Sequence, residues 1–127
     1  MTRTQVVTPL APPPVGTYSQ AIKCNGFIFL AGQTPRDRNG IRIGTEPFGV
    51  QVTTTLNNLE EIAKATGSSL RLAVKVNVFL TDTRLAADFD RIYAGYVGNP
   101  PPARTLTQSN LLGCDVEVDA ILLDPLT

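Results

Sequence analysis

A chain of 127 residues, 43% hydrophobic and 17% charged, holds enough apolar material for one globular domain and too much for a disordered segment. Eleven Lys and Arg balance eleven Asp and Glu, and the resulting zero net charge, with no basic run, argues against a nucleic-acid partner. Histidine is absent, which removes His-based triads, HExxH zinc sites and histidine-ligated zinc deamination; carboxylate, arginine, tyrosine, backbone groups and water remain.

Residues 1–17 include three successive prolines and no long apolar stretch, so no secretory signal is expected. Apolar runs such as 27–32 are far too short to span a membrane. Cys24 and Cys114 lack CxxC or other metal spacing and suggest a reducing, cytoplasmic setting without a metal site or membrane partner.

In chain order, residues 3–8 (RTQVVT) are rich in β-branched side chains and read as an edge strand. The prolines of 9–17 make a loop, because they remove donors and fix φ. The segment 18–33 (YSQAIKCNGFIFLAGQ) predicts a hairpin whose first strand begins at Tyr18 and whose turn lies near Asn25-Gly26. A second polar turn, 34–41, is sharpest at Asn39-Gly40, and Arg36, Asp37 and Arg38 read as its solvated charges.

From Glu46 to Thr66 the apolar period becomes helical: Val52, Leu56, Leu59 and Ala63 form one stripe with Ile62 beside it, and Gly67 suits a C-terminal cap. Residues 72–82 alternate as a strand, with Val74, Val76, Val78 and Leu80 on one face and Lys75, Asn77 and Phe79 on the other. Leu85, Phe89, Ile92 and Tyr96 predict a second helix over 85–97, ended by NPPP at 99–102. Strands at 103–109 and 116–123 complete the set, giving an α+β two-layer sandwich of two helices on a mostly antiparallel sheet, a single domain over 1–127. Phe79, Ile121 and Leu123 fall opposite the main aliphatic rows, so the second sheet face is expected to meet another subunit.

Two charged positions stand out among strand residues. In DVEVDAILL (115–123), Glu117 and Asp119 share a face with Ile121 and Leu123. A carboxylate in such a row is solvated at an edge, paired structurally, or functional. Arg104 heads the strand in PPARTLTQS with nothing acidic beside it in sequence; its planar fork suits a substrate carboxylate or a structural partner such as Glu117. Tyr18, after the Pro/Gly loop, is placed to line a cleft or simply to pack, and Gly32 permits close backbone approach or merely ends a strand. Cys114 has Asp115 beside it and not a cation, so nothing there favours a thiolate, and Cys24 reads as a small hydrophobe.

Taken together and in order, PPVGTYSQAI (13–22), FIFLAGQTP (27–35), VKVNVFLTD (74–82), PPARTLTQ (101–108) and VEVDAI (116–121) resemble the RidA (YjgF/YER057c/UK114) family over nearly the whole chain. The resemblance implies a chorismate-mutase-like fold and a homotrimer with a cleft at each subunit interface. It further implies hydrolytic deamination of reactive 2-imino and enamine acids to 2-keto acids and ammonia, with no metal and no bound cofactor. On this sequence the family's carboxylate-binding arginine falls on Arg104 and its water-positioning glutamate on Glu117, with Asp119 next if the register slips. The cleft tyrosine falls on Tyr18 and the substrate-facing glycine on Gly32.

Three positions depart from the family's deaminase pattern: Ala31 replaces a serine, Asp90 an asparagine on the second helix, and Leu106 a cysteine. These changes bear on which imine is accepted. The alternatives are a 2-aminomuconate-type deaminase of aromatic degradation and a non-catalytic trimer that binds a small carboxylate and regulates something else. RNA cleavage, a label attached to the family, is the least favoured by the charge balance.

Overall fold

The computed structural model describes residues 2–126. Six strands form one sheet in the order β1-β2-β3-β6-β4-β5. They are β1 (Thr4–Val6), β2 (Ala21–Cys24), β3 (Phe27–Gln33), β4 (Ala73–Leu80), β5 (Ala103–Gln108) and β6 (Val116–Leu123). Two α-helices, α1 (Phe48–Ala65) and α2 (Ala86–Tyr93), complete the expected α+β sandwich. Every strand pair is antiparallel except β4 with β5.

That exception sets the layers. β3 and β4 both run antiparallel to β6 and therefore parallel to each other, and β5 runs parallel to β4. The connections through α1 and α2 thus step in the same direction along the sheet. Crossovers of one hand then lay both helices on one face. Val52, Leu56, Leu59 and Ile62 of α1 and Phe89 of α2 pack there against Ile28, Val78, Val118 and Leu122 in one core. The opposite face carries no helix, and Phe27, Phe29 and Leu123 remain 39%, 44% and 45% exposed on it.

Local chemistry accounts for the turns and ends. Asn25 and Gly26 both have positive φ, 53° and 84°, which closes the β2–β3 hairpin in the tight form expected. Gly67, at φ +87°, ends α1: its N–H donates to Lys64 O and the N–H of Ser68 donates to Ala63 O, so two terminal carbonyls are satisfied.

Three boundaries differ from the sequence reading. The first hairpin strand begins at Ala21 and not at Tyr18, because Tyr18 belongs to the proline loop, where its own N–H donates to Gly16 O. The edge strand shrinks to Thr4–Val6, the span that finds partners in β2. The second helix is α-helical only over Ala86–Tyr93, entered by a 3₁₀ turn at Thr83–Leu85 that Asp82 caps through the N–H of Arg84. Beyond Tyr93 the chain breaks into turns, yet Tyr96 still packs against the core.

Two buried glutamines clasp loops onto this frame. The Gln20 side chain, 1% exposed, accepts from Thr8 N at 2.8 Å and donates through Nε2 to Thr8 O at 3.1 Å and Pro12 O at 2.9 Å. Gln51 of α1 donates to Gly44 O, Glu46 O and Asp115 Oδ2 and accepts from Asp115 N, fixing the entry to β6. Gln20→Ala strands three backbone groups of the proline loop and is expected to cost about 2–3 kcal/mol. Urea denaturation at unchanged slope measures that loss, and a loss below about 0.5 kcal/mol would show that water replaces the clasp.

Candidate active site

A cleft of about 420 Å³ opens where the proline loop, the end of β3 and the start of β6 meet; Pro12, Pro13, Tyr18, Ala31, Gly32, Arg36 and Glu117 line it. Its floor comes from an irregularity in the sheet. Leu30 pairs with Ala120 and Gln33 with Val118, so three steps of β3 face two of β6. The bulge sets Gly32 directly over Glu117. A Cβ at Gly32 would lie 2.6 Å from Glu117 Oε2, so only glycine lets the carboxylate occupy this position.

Glu117 is half-buried on the helix-free face. Burial first, and the nearby Asp119 carboxylate second, push its carboxyl above the ordinary value. Asp119 plays a different part: its Oδ1 accepts from Asn77 Nδ2 at 2.9 Å across β4 and β6, and it does not line the cleft. Tyr18 forms a wall of the cleft, 44% exposed, with its hydroxyl oxygen accepting from Val15 N at 3.2 Å.

Arg104 lies elsewhere. On β5 it is in register with Val76 of the helix-covered face, whereas Glu117 is in register with Phe79 of the open face. The suggested structural pairing of Arg104 with Glu117 is therefore not what the fold makes. Arg104 Nη1 instead donates to Asp90 Oδ1 of α2 at 2.7 Å, and the guanidinium carbon sits 5.0 Å from the centre of the Tyr93 ring. Tyr93 stacks in turn on Phe89, with centroids 5.3 Å apart. Burial raises the Tyr93 phenol pKa despite the opposing charge of Arg104. Spacing of three on α2 thus gives Arg104 an anion on one edge and a π-face beneath. Leu106, two residues on, points the same way and packs against the core.

One chain therefore presents two separate halves: Tyr18, Ala31, Gly32 and Glu117 in the cleft, and Asp90, Arg104 and Leu106 at the β5 edge. The sequence reading left Arg36 in a solvated turn; it is half-buried and lines the cleft. Asn58 of α1 and the bridge to Arg42 hold it there, contacts between distant segments that no local period announces. Burial pushes the Cys114 thiol up, away from nucleophilic thiolate. Among the described residues no group of three or more Cys, Asp or Glu could hold a metal ion. Nor is any described helix long and apolar enough to cross a membrane.

Fold and cleft together define a small α+β sandwich with an acid/base-capable glutamate on its uncovered sheet face. The chain belongs to the RidA (YjgF/YER057c/UK114) family; the family model described as Endoribonuclease L-PSP matches residues 8–123. A RutC family protein of Pyrococcus horikoshii is 39% identical over 118 residues, covering 91% of this chain and 94% of its own. A crystal structure of the yeast protein YEO7 is similar at TM-score 0.91 and 34% identity, covering 97% of this chain and 99% of its own. The structure of RidA from an Antarctic Psychrobacter species is similar at TM-score 0.88 and 34% identity, covering 94% and 98%.

Two outcomes follow from the Gly32–Glu117 contact. Gly32→Ala is expected to keep the fold within about 1 kcal/mol, since a carboxylate tip can swing aside. The displaced Glu117 carboxyl then titrates closer to its ordinary value, which carbon NMR of its carboxyl follows; an unmoved titration would show that Gly32 does not set its position. Because the folded pKa is raised, ionised Glu117 opposes folding above that pKa, and the penalty disappears as pH falls below the ordinary carboxylate value. Glu117→Gln is thus expected to be more stable than wild type at neutral pH, with the gap closing in acid, as thermal melts across pH would record.

Proposed function

We propose that this chain hydrolyses 2-imino and enamine acids to 2-keto acids and ammonia, working as a homotrimer whose sites join the two halves from neighbouring copies. Glu117 carries the reading: a half-buried carboxyl of raised pKa, held in a cleft by a glycine contact, suits positioning water and accepting its proton. Arg104 supplies the clamp. Asp90 occupies one amine of the fork, and the remaining donors are free to take a substrate carboxylate.

With the carboxylate on Arg104 and water on Glu117, water adds to the C=N carbon of the protonated imine while Glu117 takes its proton. Glu117 returns that proton to the nitrogen of the resulting amino alcohol, then takes the hydroxyl proton as the C–N bond breaks, so that the keto group forms and ammonia leaves. The iminium carbon is already electrophilic, so positioning supplies much of the acceleration. The exposed row of Phe27, Phe29 and Leu123 supports assembly, since an apolar face this concentrated is normally covered. Two different surface patches that complement each other form a head-to-tail contact, and such contacts close into rings.

The test generates 2-iminobutyrate and 2-iminopropionate with an amino-acid oxidase and traps residual imine with semicarbazide. Arg104→Ala and Glu117→Gln are each expected to lose at least about 100-fold in kcat/KM. Reassembling the two variants in equal amounts should restore about a quarter of the sites, because each site needs two intact donors, half times half. Light scattering reports the assembly. Absence of any acceleration by wild type on either imine would refute the reaction, and absence of recovery in the mixture would refute the shared site.

A further inference from the structure

Arg36 has no role in the reaction described above, yet its setting is unusual for this chain. Arg42, Arg71, Arg84, Arg91 and Arg104 all donate to carboxylates or backbone carbonyls. Arg3 and Arg38 are exposed to water. Arg36 alone is half-buried without a hydrogen-bond or ion-pair partner for its guanidinium among the described residues. Its backbone is anchored: Asn58 Nδ2 of α1 donates to Arg36 O at 2.8 Å, and residue 36 bridges to Arg42. An anchored guanidinium in a cleft wall with no anion beside it has its fork available to a negatively charged ligand.

We propose that Arg36 binds a second carboxylate of the substrate, so that the cleft is built for dicarboxylic imines and enamines. The inference rests on the deaminase reading and specifies its substrate class. Arg104 of a neighbouring copy holds the carboxylate next to the reacting carbon, and Arg36 holds the one at the far end of the side chain. Arg36 and Glu117 share one cleft, about 420 Å³ in the single chain before a neighbouring copy closes it. The planar fork matches a carboxylate with two parallel hydrogen bonds. Arg36 and Glu117 line the same cleft without pairing with each other, so the cation remains available to the ligand.

The experiment compares imines made in situ by oxidation of glutamate and aspartate with those from 2-aminobutyrate and alanine. Wild type is expected to favour the dicarboxylic pair by at least about 10-fold in kcat/KM, seen mainly in KM. Arg36→Ala should lower the ratio of dicarboxylic to monocarboxylic kcat/KM by about 10- to 100-fold, with Arg36→Lys recovering part of it. An unchanged ratio, or dissociation of the assembly by Arg36→Ala in light scattering, would overturn the assignment. Calorimetry with glutarate and butyrate separates this proposal from the reaction itself. Glutarate binding that depends on Arg36 would uphold the dicarboxylate site even if no imine is turned over. Equal affinity for the two acids in wild type would defeat it.

Discussion

A sheet has two faces, and in this chain both helices cover the same one. That constraint comes from three parallel strands, β3, β4 and β5, whose connecting helices step in a single direction and so pack on a single side. Glu117 lies on what this leaves uncovered. Val116, Val118, Ala120 and Leu122 of β6 close the core, while Glu117, Asp119, Ile121 and Leu123 alternate onto the open side. A carboxylate on a central strand escapes the full cost of burial only because no helix lies over it. The same openness exposes a row of phenylalanine and leucine that monomeric proteins seldom leave bare.

The partial burial of Glu117 follows from a local defect in an otherwise regular ladder. The bulge after Leu30 lets Gly32 approach the carboxylate, and Asn58 of α1 holds the following segment, with Arg36, along the cleft. The proline loop closes the other side and is held there by the Gln20 amide. Gln51 does similar service where the chain enters β6, two residues before Glu117. Buried amides of this kind satisfy loop backbone groups that water no longer reaches.

Arg104 shows how a neighbouring helix sets the surroundings of a strand cation. With an acid at residue 90, the guanidinium rests against an internal carboxylate above the Tyr93 ring. The pair is open to solvent, with side-chain exposures of 29% and 60%, so it adds little stability. The pair holds the fork over the Tyr93 ring and partly offsets its charge. The cation that lines the cleft itself is Arg36.

By itself the sequence determined the elements and their faces, because burial on one side of a helix or strand imposes a period that residues must obey. Val52, Leu56, Leu59 and Ile62 announced α1, the alternation of 116–123 announced β6, and Asn25-Gly26 announced the hairpin turn. Ordered motifs announced the family and pointed to Glu117 and Arg104. What only the tertiary structure decided was which groups meet. Strand register places Arg104 and Glu117 on opposite faces, Asp90 reaches Arg104 across the α2–β5 gap, a bulge brings Gly32 to Glu117, and Asn58 of α1 holds Arg36 at the cleft. Register and bulges depend on pairing between segments far apart in the chain, which no local period records.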